Sequence, residues 1–304
     1  MRSVIDFHTH FFSRPFFEAL AADSPLPGDV DLRLERLAAE TGLELPSASL
    51  DEHLGRWIGE MDRYGVRQLV SFASVAQEAV AVAQAASSSR GRVIPFAALD
   101  PTAPEAAERA RSWFGGLGMA GVVLFPALHH FRIDGPEVQD VLNVLAEHAG
   151  IAVVHCGLLS VPLRDRLGLP RRYDVSLANP LHLIPAADAN PGVSFVIPHF
   201  GAGFFRETLM VGRQCQNVFV DTSSSNSWMS LEPAPLRLAD VFERSLAAFG
   251  PERILFGTDS GPFPRGWRHE ILTNQREALG ACGLGEDERQ RILHKNAVEL
   301  LGLE

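Results

Sequence analysis

The chain has 304 residues, of which 46% are hydrophobic and 21% are charged, and its formal net charge is −10. This composition is typical of a globular protein with a sizeable core, and the length suits two small domains or one α/β barrel of about 250 residues with insertions. The negative net charge, and the absence of a long run of basic residues in the sequence, argue against nucleic acid or an anionic membrane surface as a partner.

The cysteines and the N-terminus indicate a cytoplasmic protein. Cys156, Cys215 and Cys282 are far apart and lack metal-type pairing, which is typical of reduced core thiols. The first residues lack the apolar stretch of a signal peptide, and no apolar run approaches the ~18 residues of a membrane span.

The first predicted element is the strand Val4-Ile5-Asp6-Phe7-His8-Thr9-His10. Side chains two positions apart share a face of a strand, so His8 and His10 are expected to project together, while Phe7 and Thr9 face away. Residues 11–50 are predicted to form an insertion over the mouth of the fold, with one helix near Leu32–Glu40. This segment is too short for a core of its own.

From residue 50 onward, apolar strands alternate with amphipathic helices, beginning with a helix at Leu50–Tyr64 that Gly65 ends. The seven further strands are predicted at Gln68–Ala73, Val93–Leu99, Gly121–Phe125, Ile151–Val154, Val193–Ile197, Val218–Val220 and Ile254–Phe256. The later helices are predicted at Gln77–Ser88, Pro104–Phe114, Pro136–His148, Pro180–Ala189, Gly203–Val211, Pro235–Phe249, His269–Cys282, Glu286–Leu293 and Lys295–Leu301. Eight strands alternating with helices predict one α/β domain over residues 1–304, a (β/α)8 barrel. An open doubly wound sheet is less favoured, because the first strand lacks a glycine-rich turn.

Polar side chains fall where these strands end, which is where catalytic groups of such barrels lie. The strand ends carry His8 and His10, Ser74, Asp100, His155, His199, Asp221 and Asp259, and the loop after the fourth strand carries His129 and His130. Taken singly, such residues also have ordinary structural explanations. His155 could be a histidine of the core, His199 a turn residue and Asp259 the cap of the following helix. Their joint position at one mouth predicts a site.

Four motifs, in this order, resemble those of the amidohydrolase superfamily over the whole chain. They are Ile5-Asp6-Phe7-His8-Thr9-His10, Val154-His155-Cys156, Pro198-His199-Phe200-Gly201 and Leu255-Phe256-Gly257-Thr258-Asp259. The sequence is most similar to the second amidohydrolase family, which includes the aminocarboxymuconate-semialdehyde decarboxylase-like enzymes. The resemblance implies that His8, His10, His155 and Asp259 bind one divalent metal ion, usually zinc. It also implies that Asp259 and His199 are catalytic, with His199 carrying a proton beside the activated water.

The lysine content separates two branches of that superfamily. Binuclear members bridge two metals with a carboxylated lysine at the end of the fourth strand. Here the only lysine is Lys295, in the C-terminal helical tail. The sequence therefore predicts one metal ion per chain.

The same residues are compatible with two reactions: hydrolysis of a small carbonyl compound, such as a lactone, amide or ester, or non-oxidative decarboxylation of an aromatic or unsaturated acid. A phosphoesterase that opens with His-x-His needs further metal ligands, and a non-catalytic scaffold would be expected to lack a ligand. For a carboxylated small-molecule substrate we predict contacts from His129, His130, Arg172 and Arg265. Whether the chain forms a homodimer stays open.

Overall fold

The computed structural model describes residues 3–303. Its centre is one sheet of eight parallel strands, paired in chain order. The strands are β1 (Val4–His10), β2 (Val66–Ala73), β3 (Val93–Ala98), β4 (Gly121–Leu124), β5 (Ile151–Val154), β6 (Ser194–Ile197), β7 (Val218–Asp221) and β8 (Ile254–Leu255). The seam between β8 and β1 carries a backbone hydrogen bond from Phe7 N to Phe256 O (2.8 Å) and a parallel bridge between Thr9 and Ser260. The sheet is therefore a nearly closed barrel.

Helices lie between successive strands along the chain and after β8, and most of them cover the outside of the barrel. They are α1 (Arg14–Ala22), α2 (Val30–Thr41), α3 (Leu50–Tyr64), α4 (Ala79–Ser88), α5 (Ala106–Leu117), α6 (Pro126–His129), α7 (Pro136–Glu147), α8 (Pro162–Arg166), α9 (Leu183–Ala189), α10 (Phe205–Gln214), α11 (Leu238–Phe249), α12 (His269–Ala281), α13 (Glu286–Gln290) and α14 (Asn296–Leu301). The predicted (β/α)8 fold is confirmed. In the part of the chain that the structure describes, no helix combines the length and apolar character that crossing a bilayer requires.

The apolar core has two layers, one on each face of the sheet. Large side chains fill the barrel, and among them Phe7 packs edge-on against Phe96, with ring centroids 5.9 Å apart. A larger cluster lies between the strands and the surrounding helices, with Trp57 and Phe242 fully buried in it. Both faces of every strand are thus covered, which explains why the strands are short continuous apolar runs.

The first strand departs from simple alternation. Its pairing with β2 shifts register between Asp6 and Thr9. Phe7 belongs to the cluster inside the barrel, and His8 nevertheless lines the cleft at the barrel mouth. The expectation that Phe7 faces away from the barrel was wrong, because a bulge places two consecutive side chains on the inner face.

Residues 11–50 contain two helices, α1 and α2, where the sequence predicted one. The missed helix α1 begins with Pro15 at its first turn and places Phe16 and Phe17 in a small apolar cluster. That cluster is completed by Leu167 and Leu169 from the loop after β5. The segment therefore packs against another loop rather than around a core of its own.

Candidate metal centre and active-site cleft

A cleft of about 1120 Å³ opens at the carboxyl ends of the strands. All five residues of the predicted centre line it: His8, His10, His155, His199 and Asp259. Phe12, Phe16 and Leu43 of the segment after β1 form part of its wall. The side chains at the strand ends thus share one solvent-accessible space, as parallel strands of a barrel require.

Asp259 lies against both histidines of β1. Its Oδ1 is 3.2 Å from Nε2 of His10 and 3.7 Å from Nε2 of His8. Potential ligand atoms of His8, His199 and Asp259 lie within 4.8 Å of one another, and the ring of His155 is centred 5.3 Å from that of His199. The four predicted ligands and His199 therefore lie close together in one part of the cleft. Which of these five bind a metal stays a prediction.

The backbone around His199 is unusual. His199, Phe200 and Ala202 have φ values of 56°, 52° and 43°, and Asp259 has a φ of 56°. Residues other than glycine seldom adopt this left-handed region, and those that do are held there by their surroundings, commonly at functional sites. Within the same turn Gly201 is required, because a Cβ there would lie 2.0 Å from Oγ1 of Thr208.

A buried carboxylate at the end of β7 orients two of the histidines. Oδ2 of Asp221 is 2.8 Å from Nδ1 of His8, and its Oδ1 accepts hydrogen bonds from the Ser223 hydroxyl and the His199 backbone N–H. Oγ of Ser223 is also 2.8 Å from Nδ1 of His199. Because the Ser223 hydroxyl donates its one hydrogen to Asp221, it accepts from His199. Both histidines therefore carry their proton on Nδ1, and each Nε2 lone pair is free to accept a proton or bind a metal.

A second buried carboxylate joins β1 to the loop that carries Asp259. Oδ1 of Asp6 accepts hydrogen bonds of 3.0 Å from the backbone N–H groups of His8 and Thr258, and Oδ2 accepts one of 2.8 Å from Nε1 of Trp267. Burial raises the pKa of Asp6 to about 6, against the opposing effect of these hydrogen bonds. Asp259 N in turn donates to the His8 carbonyl at 2.9 Å. The two ends of the chain are thereby locked together beside the centre.

Burial is the main influence on the protonation of the centre. It lowers the pKa values of His10 and His199, and with the neighbouring histidines it lowers that of His155 to about 3. Burial alone would raise the pKa of Asp259, but the hydrogen bond with His10 and the adjacent histidines hold it well below its usual range. For His8, burial lowers the pKa, but Asp221 together with Asp259 and Asp6 outweighs it and raises the pKa. Burial thus favours neutral imidazoles at His10, His155 and His199, and neutral imidazoles beside an ionised carboxylate are the donors that a divalent cation prefers.

The donor set fits a metal ion. Nδ1 of His155 is buried and has no hydrogen-bond partner within residues 3–303. A neutral imidazole that lines the cleft without a carboxylate partner is available as a ligand. Lys295, by contrast, lies outside the residues that line the cleft, with its Nζ 3.8 Å from Asp287. No lysine is therefore among the described residues that line the cleft, and one metal ion per chain stays a prediction.

The four predicted substrate contacts divide into two pairs. Arg265 and His129 line the cleft. His130 and Arg172 are not among the described residues that line it, and their contacts with a substrate stay a prediction. His130, in a left-handed conformation at the end of α6, turns its exposed side chain away and bonds through Nε2 to the Arg172 carbonyl.

Several polar residues that line the cleft, or that hydrogen-bond to its histidines, were given no role from the sequence. Asp221 and Ser74 were visible at strand ends, but their partners His8 and His10 are distant in the chain. Arg164 lines the cleft from α8, a short helix that the sequence pattern did not indicate. The position of a polar residue after a predicted strand was the available signal, and it was sufficient for Asp221 and Ser74 but not for Arg164.

Solved structures with the same fold include several from this superfamily. The 5-carboxyvanillate decarboxylase LigW from Sphingomonas paucimobilis is 16% identical over 100% of both chains, with a TM-score of 0.67. An amidohydrolase from Burkholderia multivorans with bound zinc is 16% identical over 99% of both chains, with a TM-score of 0.65. A probable 2-pyrone-4,6-dicarboxylic acid hydrolase from Acinetobacter baumannii, with citric acid bound, is 15% identical over 100% of both chains, with a TM-score of 0.62. At these identities the likeness shows a common fold.

No curated protein matches the sequence. The model of one family, described as amidohydrolase, matches residues 5–303, which is nearly the whole chain. This match includes all four motifs that the sequence analysis singled out, from β1 to the loop after β8. The chain belongs to the amidohydrolase family.

Proposed function

We propose that the protein is a metal-dependent hydrolase that acts on a small carboxylated carbonyl compound, such as a lactone, amide or ester, through an activated water. The observation that supports this proposal is that His8, His199 and Asp259 offer ligand atoms within 4.8 Å of one another, with Nε2 of His10 3.2 Å from Asp259 and the His155 ring beside that of His199. Separately these residues have ordinary structural explanations, but together they form a donor set for one divalent cation.

His8, His10, His155 and Asp259 would hold the ion, most plainly zinc, because imidazole and carboxylate ligands suit it. When bound, such an ion polarises a carbonyl oxygen and lowers the pKa of a water molecule to roughly 7. Family members are metal-dependent, and the amidohydrolase of the same fold from Burkholderia multivorans has zinc bound. The contact between Nδ1 of His8 and the Asp221 carboxylate leaves Nε2 of His8 available for the ion, which supports this assignment.

The remaining chemistry comes from side chains of the chain itself. A carboxylate oxygen of Asp259 accepts the proton of the attacking water and returns it to the leaving group, because this side chain lies at the centre and borders the cleft. His199, with Nδ1 bonded to Ser223, presents Nε2 as the second proton carrier. Arg265 lines the cleft near Asp259 and forms no ion pair with a described residue, so its guanidinium is free to bind a substrate carboxylate.

Decarboxylation is a second candidate, and the composition of the cleft wall favours it. The rings of Phe12, Phe72 and Phe125 line the cleft beside the histidines. Apolar surroundings destabilise a bound carboxylate relative to the neutral carbon dioxide that leaves it. In this reaction Asp259 or His199 takes up a proton from solvent and passes it to the carbon that loses carbon dioxide. LigW, a decarboxylase of the same fold, makes this alternative worth testing.

A screen of lactones, amides, esters and aromatic or unsaturated carboxylates with zinc-loaded protein tests the proposal. Released carbon dioxide is recorded alongside hydrolysis, and the metal-free protein serves as the control. We expect metal-dependent hydrolysis without carbon dioxide. Carbon dioxide release would replace the hydrolase with the decarboxylase, and turnover that survives removal of the metal would contradict both.

A further inference from the structure

The cleft has a second polar region, away from the metal centre, where α6 ends and α8 lies. Nε of Arg164 and Nδ1 of His129 are both buried there and have no hydrogen-bond partner among residues 3–303. Both side chains line the same cleft as the histidines of the centre. Buried polar atoms of native proteins nearly always have a partner, so two orphaned donors beside one space indicate a ligand.

The charge of Arg164 is not neutralised by a neighbour, unlike those of nearby arginines. Asp165, its neighbour in sequence, binds Arg171 through both oxygens, and Arg132 forms a bidentate pair with Asp134. No described carboxylate lies within 4.0 Å of the Arg164 guanidinium. The helix α8 therefore points one uncompensated cation at the cleft.

The acids that line the cleft form no ion pair with Arg164 among the described residues. Asp100 binds the backbone N–H and hydroxyl of Thr102 through Oδ1, and its charge acts to raise the pKa of His129, but burial outweighs this and lowers that pKa. Asp23 is exposed. Arg109, a further cation of the lining, has only a 3.8 Å contact with the exposed Glu105. The region around Arg164 is thus suited to an anion.

The barrel places this region across the mouth from the other free cation. Arg265 follows β8, whereas His129 ends α6 directly after β4, and the charge of Arg164 is near enough to His129 to contribute, after burial, to lowering its pKa. In a ring of eight strands in chain order, β4 lies opposite β8 and β5 lies opposite β1. The same cleft is also lined by apolar side chains, Phe72, Phe125 and Leu128 among them. The cleft therefore combines two separate cationic places with apolar wall residues.

We propose that Arg164 and His129 form a distal anion subsite, and that the substrate carries two acidic groups separated by an apolar or aromatic body. One acidic group binds at Arg265 and the metal centre, and the other receives hydrogen bonds from the Arg164 guanidinium and the His129 imidazole. The inference rests on the proposed function for its first acidic group, since it takes the metal centre as the reacting end. It adds the second acidic group of the substrate, which none of the four sequence motifs specifies.

Matched pairs of carboxylates test the subsite by equilibrium binding, without turnover. Terephthalate and benzoate, and suberate and octanoate, are titrated calorimetrically into zinc-loaded wild-type protein and into the Arg164→Gln and Arg166→Gln variants. Arg166 is the matched control, because it is an exposed arginine of the same helix and does not line the cleft. Binding of the monocarboxylates to Arg164→Gln shows that this variant is folded.

We expect at least one dicarboxylate to bind about tenfold more tightly than its monocarboxylate partner, as a charge-assisted bidentate contact gives. Arg164→Gln should abolish this advantage and leave monocarboxylate binding unchanged, while Arg166→Gln should preserve it. If the dicarboxylate still binds more tightly than its monocarboxylate partner in Arg164→Gln, or if the wild type shows no such difference, the proposed subsite is wrong. Failure of the proposed function is seen separately, as absent turnover in the substrate screen, and leaves this binding result unaffected.

Discussion

The carboxylate of Asp221 and the imidazole of His8 form a buried pair, with Oδ2 2.8 Å from Nδ1. Burial would raise the pKa of Asp221, but His8 and the Ser223 hydroxyl lower it to about 2, so the group stays ionised. Through Ser223 the same carboxylate also sets the proton of His199. One aspartate at the end of β7 thereby orients a ligand candidate and a proton carrier together.

Replacing Asp221 with asparagine should weaken metal binding while the barrel remains folded. The amide keeps the size of the side chain but loses the charge that fixes the tautomer of His8. Loss of such a partner typically costs about 10- to 100-fold in metal affinity. Competition with a chromophoric chelator measures the affinity. The exposed Asp287→Asn is a suitable control, since Asp287 lies at the surface near Lys295. Equal affinities in the three proteins would remove Asp221 from the centre.

Replacing His10 with alanine should release the metal. Its Nε2 is 3.2 Å from Oδ1 of Asp259, and its Nδ1 is held 2.7 Å from Oγ of Ser74, so the ring is fixed toward the centre. Elemental analysis after dialysis should give about one zinc per wild-type chain and far less in the variant. His269→Ala, at an exposed histidine, should retain the metal. Two tightly held ions per wild-type chain, or an unchanged content in His10→Ala, would contradict the assignment.

Replacing Asp259 with asparagine should abolish turnover and leave most of the metal in place. The amide can still coordinate through its oxygen, but it cannot accept a proton, and general acid–base catalysis contributes about 10²- to 10⁴-fold. Steady-state kinetics on the substrate found by the screen, with metal content measured on the same sample, separates the two effects. Activity retained at the wild-type level would exclude Asp259 as the proton carrier.

The barrel and the members of its centre could be predicted because both depend on local patterns. Short apolar runs alternating with helices specify the strands, and the residue after each strand must face the mouth. The helix α1 was missed because its aromatic run, Phe16 and Phe17, lacks a clear helical period. Its burial depends on Leu167, which lies far away in the chain. Similarly, nothing in the spacing distinguishes Arg164, which enters the cleft, from Arg172, which does not line it.

Glu78 provides a prediction about stability rather than catalysis. Its carboxylate is fully buried between the segment after β1 and the end of β2. It accepts hydrogen bonds from the backbone N–H and hydroxyl of Ser13 and from the backbone N–H of Ser74. Burial outweighs these three donors and raises the pKa of Glu78 from 4.5 to about 7. The folded protein therefore binds this proton more tightly than the unfolded chain does.

The sign of the pH effect follows from that difference. The stabilisation from protonated Glu78 is fully present below about pH 4.5 and is lost as the pH rises to about 7, which corresponds to about 3 kcal/mol. Glu78→Gln cannot titrate, so the free energy of unfolding of the wild type minus that of the variant should fall over this range and then level off. Denaturant titrations at a series of pH values measure it, with the exposed Glu18→Gln as the control for a lost charge. A difference that stays constant from pH 4.5 to 8 would show that Glu78 keeps the same protonation state in the folded and unfolded chains, because only a shifted proton equilibrium makes the difference depend on pH.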